Sequence, residues 1–180
     1  FVQHMIAIVN HRGRIGVVLP HGSLFRGGAE GKIRKGIIEE DLLEAVVGLP
    51  PKLFYGTGIP ACLFILNKDK PAERKGKIFF VYGANDYLEG KKQNKLRKED
   101  IEKIVSVYEE YKTIKKYSRT VSLNEIREND CNLNITRYID VAEEEETIDI
   151  QKTIVELKAL KEESAEIQHK VMQYLKELSL

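Results

Sequence analysis

The sequence predicts an α/β fold: a buried sheet flanked by helices, then a small α+β region and a long C-terminal helix. Three observations predict it. Short β-branched apolar runs first alternate with helical patterns, as in α/β sheets. Later apolar runs follow one another with no helix between them, which calls for an antiparallel return. Residues 141–180 carry a heptad pattern.

Taken in order, residues 1–11 read as the end of an amphipathic helix, with Val2, Met5, Ile6 and Val9 at helical spacing, and "HRGR" breaks it. "IGVVLP" (15–20) is wholly apolar, and a strand buried on both faces is expected there. "HGSLFRGGAEG" is expected as a Gly-rich loop and "KIRKGIIEEDLL" (32–43) as a helix. "LEAVVGLP", "ACLFILNK" and "KIFFVYGA" are three more strands. "VVLP" and "VGLP" both place Leu-Pro at a strand's carboxyl end, where open α/β sheets bind ligands. Proline also simply stops strands. After "ANDYLEG" the composition turns polar and basic. "DIEKIVSVYEEY" (100–111) is an amphipathic helix with Asp100 as its expected cap. "TIKKYSRTVSLNEIRENDCNLNITRYI" is mixed. The expected divisions are 1–90, 91–140 and 141–180.

Of the 180 residues, 42% are hydrophobic and 32% charged, a soluble balance. No apolar run reaches the ~20 residues of a membrane helix. The apolar-then-basic start has the wrong order for a secretion signal. It also lacks an initiating Met, so the chain reads as the inside of something longer, and its cysteine usage fits a reducing, cytoplasmic setting. Net charge is +1 but uneven: acidic residues exceed basic ones by 6 from Asp140 onward, and residues 1–139 carry an excess of 7 basic residues. A basic body with an acidic tail suits a polyanion on the body and a protein on the tail. Cys62 and Cys131 lie far apart, and the histidines have no metal-ligand spacing. No phosphate-binding glycine motif and no nucleophile elbow is present. "LPPKLFY" (49–55) imitates the Asn- or Asp-Pro-Pro-aromatic loop of enzymes that methylate base amino groups. It has Leu49 where an acceptor is required and Lys52 where an aromatic is required, so it is not that loop. No catalytic residue and no metal site is expected in this chain.

Several spaced blocks carry a resemblance. "GRIGVVLPHGSLFRGGAEGKIRKGIIEEDLLEAVVGLPPKLFYGTGIPACLFILNK" strongly resembles the modification (M) subunit of type I restriction–modification systems. "KIFFVYGAND", "KQNKLRKEDI", "YSRTVSLNEI" and "NDCNLNITRYID" resemble it in the same order. The resemblance covers about residues 1–140. It implies a DNA adenine-N6 methyltransferase, using S-adenosylmethionine, whose Rossmann-like domain ends in an antiparallel strand, here "ACLFILNK". The family's glycine motif and Asn-Pro-Pro-Phe loop would lie upstream, so this segment would be the C-terminal part of the catalytic domain. Alone it would neither bind the cofactor tightly nor transfer methyl groups.

The resemblance places Pro20, His21, Gly22, Ser23 and Phe25 beside the target-base pocket, and Phe54, Tyr55 and Thr57 on its second wall. Phe54 reads equally as core. Arg26, Lys32, Arg34 and Lys35 are candidates for DNA phosphate, as are Lys91, Lys92, Lys95, Arg97 and Lys98, although each also fits a solvated surface. The implied partners are duplex DNA, a specificity subunit, a restriction subunit and a second M subunit. The heptad supplies a docking arm through Ile150, Leu157, Leu160, Ile167, Val171, Tyr174 and Leu178, spanning ~43 Å if helical. A helix lying across its own domain is the other reading of the arm. A non-catalytic assembly or DNA-binding module is the alternative for the whole chain.

Overall fold

The computed structural model describes residues 1–141 and, in residues 142–180, scattered helical positions between Ile154 and Leu175. Residues Phe1–Val141 and Ala142–Leu180 form two separate units.

Helix α1 (Val2–Ile8) opens the first unit. Strand β1 (Arg14–Pro20) leads through a 3-10 turn (His21–Leu24) into α2 (Gly28–Glu39). Strands β2 (Leu43–Gly48), β3 (Ala61–Asn67) and β4 (Lys77–Tyr82) follow. Then come α3 (Lys98–Glu110), β5 (Ser118–Ser122) and α4 (Leu123–Glu128). Among the described residues the strands form one sheet in the order β1-β3-β2-β4-β5. Strand β3 runs antiparallel to both neighbours, β2 and β4 are parallel, and β5 returns antiparallel to β4. Strands β1, β2 and β4 therefore point their carboxyl ends the same way. The return expected of "ACLFILNK" is present, and the 91–140 segment adds β5 to the same sheet.

Alternation divides β4 between two cores. Ile78 and Phe80 join Leu24, Ile38, Val46, Phe64 and Ile126 on one face. Phe79 and Val81 join Val47, Ile104 and Val107 under α3 on the other. Tyr138 stacks on Phe80 at 4.6 Å, and Tyr111 on Phe79 at 4.5 Å. Strand β2 is buried on both faces, as expected of "LEAVVG".

Three expectations are corrected. Strand β1 is not buried on both faces: Ile15, Val17 and Leu19 pack inward, while Arg14, Gly16, Val18 and Pro20 are exposed. It pairs with β3 on one side, and one packed face gives a period of two. Helix α2 begins at Gly28 and ends at Glu39, not over 32–43, because Asp41 turns left-handed (φ 54) and closes it. Asp100 is not the N-cap of α3. It occupies the third helical position, where it accepts from the backbone N–H of the cap residue Arg97 at 2.8 Å and from its guanidinium.

Candidate functional site

The antiparallel β3 dictates where the two Leu-Pro ends meet. Its first residues pair on one side with Pro20 of β1 and on the other with Gly48 of β2. The loop after β1 and the loop 49–60 thus flank the start of β3, about 10 Å apart at two strand spacings. The His21 N–H donates to the Pro60 carbonyl at 3.1 Å and joins them. The segment after β4 emerges on the same edge, beside Gly48.

The first loop is fixed from below. Leu24 is fully buried, and its carbonyl accepts from Leu133 N–H at 2.9 Å. This seats the 3-10 turn and leaves Phe25 exposed at its end. His21 is half-buried and meets Phe25 edge to face at 5.7 Å. Burial lowers the His21 pKa from its ordinary value of 6.5, so its ring is neutral at neutral pH. Ser23 Oγ lies 3.7 Å from Cys62 Sγ, whose pKa burial raises to about 11. A thiol held protonated in this way is not a nucleophile. Gly22 is buried beneath the folded-over Arg26 side chain.

The second loop carries Phe54, Tyr55, Thr57 and Ile59, all exposed, with Tyr55 90% accessible. Phe54 is 47% accessible, so it is not a core residue. Lys52 takes a left-handed backbone (φ 56).

The phosphate candidates separate. Lys32 and Lys35 are exposed on α2, the latter paired with Glu39 at 3.7 Å, and Arg26 is paired with Glu30 at 3.8 Å. Exposed pairs of this kind contribute ~0–1 kcal/mol and open readily. Arg34 is a correction. It is 7% exposed and faces inward, donating from Nε to Cys131 O at 2.9 Å. From Nη1 it donates to Ser23 O at 3.0 Å and to Arg26 O at 2.8 Å. Its guanidinium is occupied by the fold and does not face phosphate. Lys91, Lys92, Lys95, Arg97 and Lys98 are exposed, the last two in ion pairs with acidic neighbours in α3.

Two features were missed by sequence reasoning. Asn94 is buried, and with Gln93 it holds the second loop. Glu44 is fully buried at the far end of the sheet, ringed by Arg14, Arg74, Tyr108 and Asn67. A glutamate inside an apolar strand was the available signal for the second; nothing in "KKQNK" marks the first.

Chemically, the carboxyl edge presents aromatic faces and cations to solvent. Among the described residues no group of His, Cys, Asp and Glu could hold a metal ion. No described helix is long and apolar enough to cross a membrane. Asp86, just past β4, is engaged by Tyr117 Oη–H and by Lys103 at 2.6 Å. Phe25, Phe54 and Tyr55 give this edge exposed flat apolar faces. On the arm, Leu157, Leu160, Ile167 and Val171 are helical and exposed, whereas Ile150, Tyr174 and Leu178 lie outside the described residues.

The family model for N-6 DNA methylase matches residues 1–147. The type I restriction enzyme MjaVII methylase subunit of Methanocaldococcus jannaschii is 46% identical over 167 residues, covering 91% of this chain and 29% of that protein. The MjaVIII methylase subunit of the same organism is 47% identical over 169 residues, with 92% and 29% covered. A type I restriction–modification methyltransferase subunit of Streptococcus thermophilus superposes with a TM-score of 0.72 at 39% identity, covering 77% of this chain and 29% of that one. The chain spans less than a third of the length of these relatives.

Proposed function

The chain belongs to the N-6 DNA methylase family, and from that premise we propose that it supplies the substrate side of a type I methyltransferase subunit that methylates adenine N6 in DNA. The observation that carries the proposal is the pairing of both Leu-Pro ends around β3, which puts exposed Phe25, Phe54 and Tyr55 on one sheet edge. A base inside the stack cannot be reached, so it must be flipped out and held against such groups. Pro20, His21, Gly22, Ser23 and Phe25 form one wall, and Phe54, Tyr55 and Thr57 the other. Arg26, Lys32 and Lys35 steady the backbone through phosphate.

S-adenosylmethionine supplies the methyl group in this chemistry. The Asp86 carboxylate past β4 is already taken up by Tyr117 and Lys103, which supports assigning the binding of S-adenosylmethionine to other parts of the longer subunit. Among the described residues β1 pairs with β3 alone, and the Rossmann-like sheet would continue from its other edge. Residues 1–90 would complete that domain, 91–140 would extend it, and 141–180 would dock on a specificity subunit. A restriction subunit and a second M subunit complete the proposed assembly, in the cytoplasm where the DNA is.

The test is methyl transfer to duplex DNA by the longer subunit with its specificity partner. Exchanging Phe54 and Tyr55 together for Ala removes up to two stacking faces, each contributing ~1–3 kcal/mol. Transfer is expected to fall about tenfold or more at limiting DNA. Unchanged transfer would sink the base-wall reading and favour an assembly module. The arm is tested separately. Leu157→Asp with Leu160→Asp is expected to abolish capture of the specificity subunit without altering the melting of residues 1–141. Retained capture would remove the docking role.

A further inference from the structure

Residues 88–95 fold into a small hairpin that no part of the function above uses. Leu88 and Lys95 exchange two backbone bonds, N–H to carbonyl, at 2.8 and 3.0 Å. Between them the chain turns so tightly that a Cβ on Gly90 would stand 2.0 Å from the Gln93 carbonyl oxygen, so only glycine fits. Asn94 is buried inside the turn, and its Oδ1 accepts from Gly90 N–H at 3.2 Å. Lys91 and Lys92 are exposed at the tip.

The hairpin grips the loop that bears Phe54 and Tyr55. Asn94 Nδ2 donates to Pro51 O at 2.9 Å, Asn94 N–H donates to Lys52 O at 2.9 Å, and Gln93 Nε2 donates to Leu53 O at 2.6 Å. Three consecutive carbonyls of the aromatic loop are thus held by two adjacent residues, immediately before the exposed rings. The middle carbonyl belongs to Lys52, whose left-handed backbone (φ 56) a lysine adopts only at a cost. The loop is also tied at its ends, by His21 N–H to Pro60 O at 3.1 Å and Leu49 N–H to Ala61 O at 2.9 Å, and the hairpin holds the stretch just before the rings. The buried Asn94 amide with satisfied partners is suited to that task, since leaving either side unpaired is penalised, and Gln93 adds a half-buried bond beside it.

We propose that Gln93 and Asn94 are positioning residues that hold the Phe54–Tyr55 loop in its base-facing conformation, and that the same hairpin sets Lys91 and Lys92 on the phosphates flanking the unstacked base. Stacking and phosphate contact then come from one rigid unit. A preorganised ring avoids the ordering cost of closing on each base. The proposal rests on the base-wall reading.

The test compares the binding of two labelled duplexes by the full 180-residue chain, one fully paired and one in which a single adenine faces an abasic gap. The ratio of the two dissociation constants measures capture of the unstacked base, and thermal melting checks that each variant is folded. Wild-type chain is expected to prefer the gapped duplex. Gln93→Ala and Asn94→Asp are each expected to cut that preference about fivefold, as weakened stacking would, with paired-duplex affinity within about twofold. Asn94→Asp keeps the acceptor for Gly90 and loses the donor to Pro51. Gln93→Ala removes a half-exposed side chain and is the variant more certain to fold. Lys91→Glu with Lys92→Glu is expected to weaken both duplexes alike and to flatten the salt dependence by about two phosphate contacts. If Tyr55→Ala loses the preference while folded Gln93→Ala and Asn94→Asp keep it, the clamp is refuted and the base wall stands. If Tyr55→Ala keeps it, or wild type has none, the base wall fails and the clamp with it. Unchanged binding by the double lysine variant overturns the phosphate half.

Discussion

Arg34→Ala is expected to lower the unfolding free energy by about 3 kcal/mol, and to loosen the loop after β1 before the rest of the sheet melts. The guanidinium serves three carbonyls, those of Ser23, Arg26 and Cys131. Each buried carbonyl left without a donor costs ~1–3 kcal/mol. Water entering the vacated space recovers part of that, and the variant no longer has to bury a guanidinium. The net effect is therefore set nearer the low end of the sum. Two of the three carbonyls bracket Leu24 and Phe25, so the loss falls on the wall of the proposed base site. Arg34→Lys is expected to recover little, because one ammonium cannot reproduce the planar fork that spans residues 23, 26 and 131. Urea unfolding gives the stability change, and the rate of limited proteolysis within residues 25–28 gives the local one. A loss below about 1 kcal/mol, or unaltered cleavage within the loop, would refute the clamp role argued for Arg34.

The contrast between Arg34 and its neighbours bears on what the sequence could disclose. "KIRKGII" reads as a basic surface run when its charges are counted. Read as a helix, Ile33, Ile37 and Ile38 mark the inward stripe, and position 34 lies on it, one turn before Ile38. The inward arginine was legible in the period and hidden by the composition. Strands β3 and β4 were legible because uninterrupted apolar runs of that length have few other uses, and β2 because only Glu44 breaks its run. The exposed face of β1 was not: Val18 and Val17 look alike in sequence, and only the position of β1 beside a single neighbour separates them. The aromatic residues proposed as walls came from the resemblance and not from spacing. Gln93 and Asn94 were invisible because a polar run gives no sign that two of its amides turn inward. Their partners, Pro51 and Leu53, lie 43 and 40 residues away.

The other large effect is expected at Glu44. Its carboxylate is fully buried in β2 and accepts from Arg74 at 2.6 Å, Tyr108 at 2.8 Å, Arg14 at 3.0 Å and Asn67 at 2.5 Å. Burial alone would raise its pKa, and the bonds from Asn67, Tyr108 and Arg74, with the charge of Arg14, more than reverse that and hold it below 4.5. Removing one partner of such a group leaves uncompensated charge, at ~3–5 kcal/mol for a fully buried pair. Glu44→Ala is expected near the lower figure, because Arg14 is 54% exposed and can turn to water while Arg74, at 16%, cannot. The pH dependence follows from the sign of the shift. A carboxyl whose folded pKa lies below its unfolded one contributes stability above the unfolded value of about 4.5, and loses it as pH falls through the folded one. Wild-type stability should therefore drop below about pH 4.5 by more than that of Glu44→Gln, which has no proton to take up. Parallel stability curves for the two proteins between pH 7 and pH 3, measured by urea unfolding, would show that the cluster does not hold this charge. Convergence of the curves toward acid pH would show instead that β2 owes part of its stability to a charge held between α3, β1 and the turn before β4.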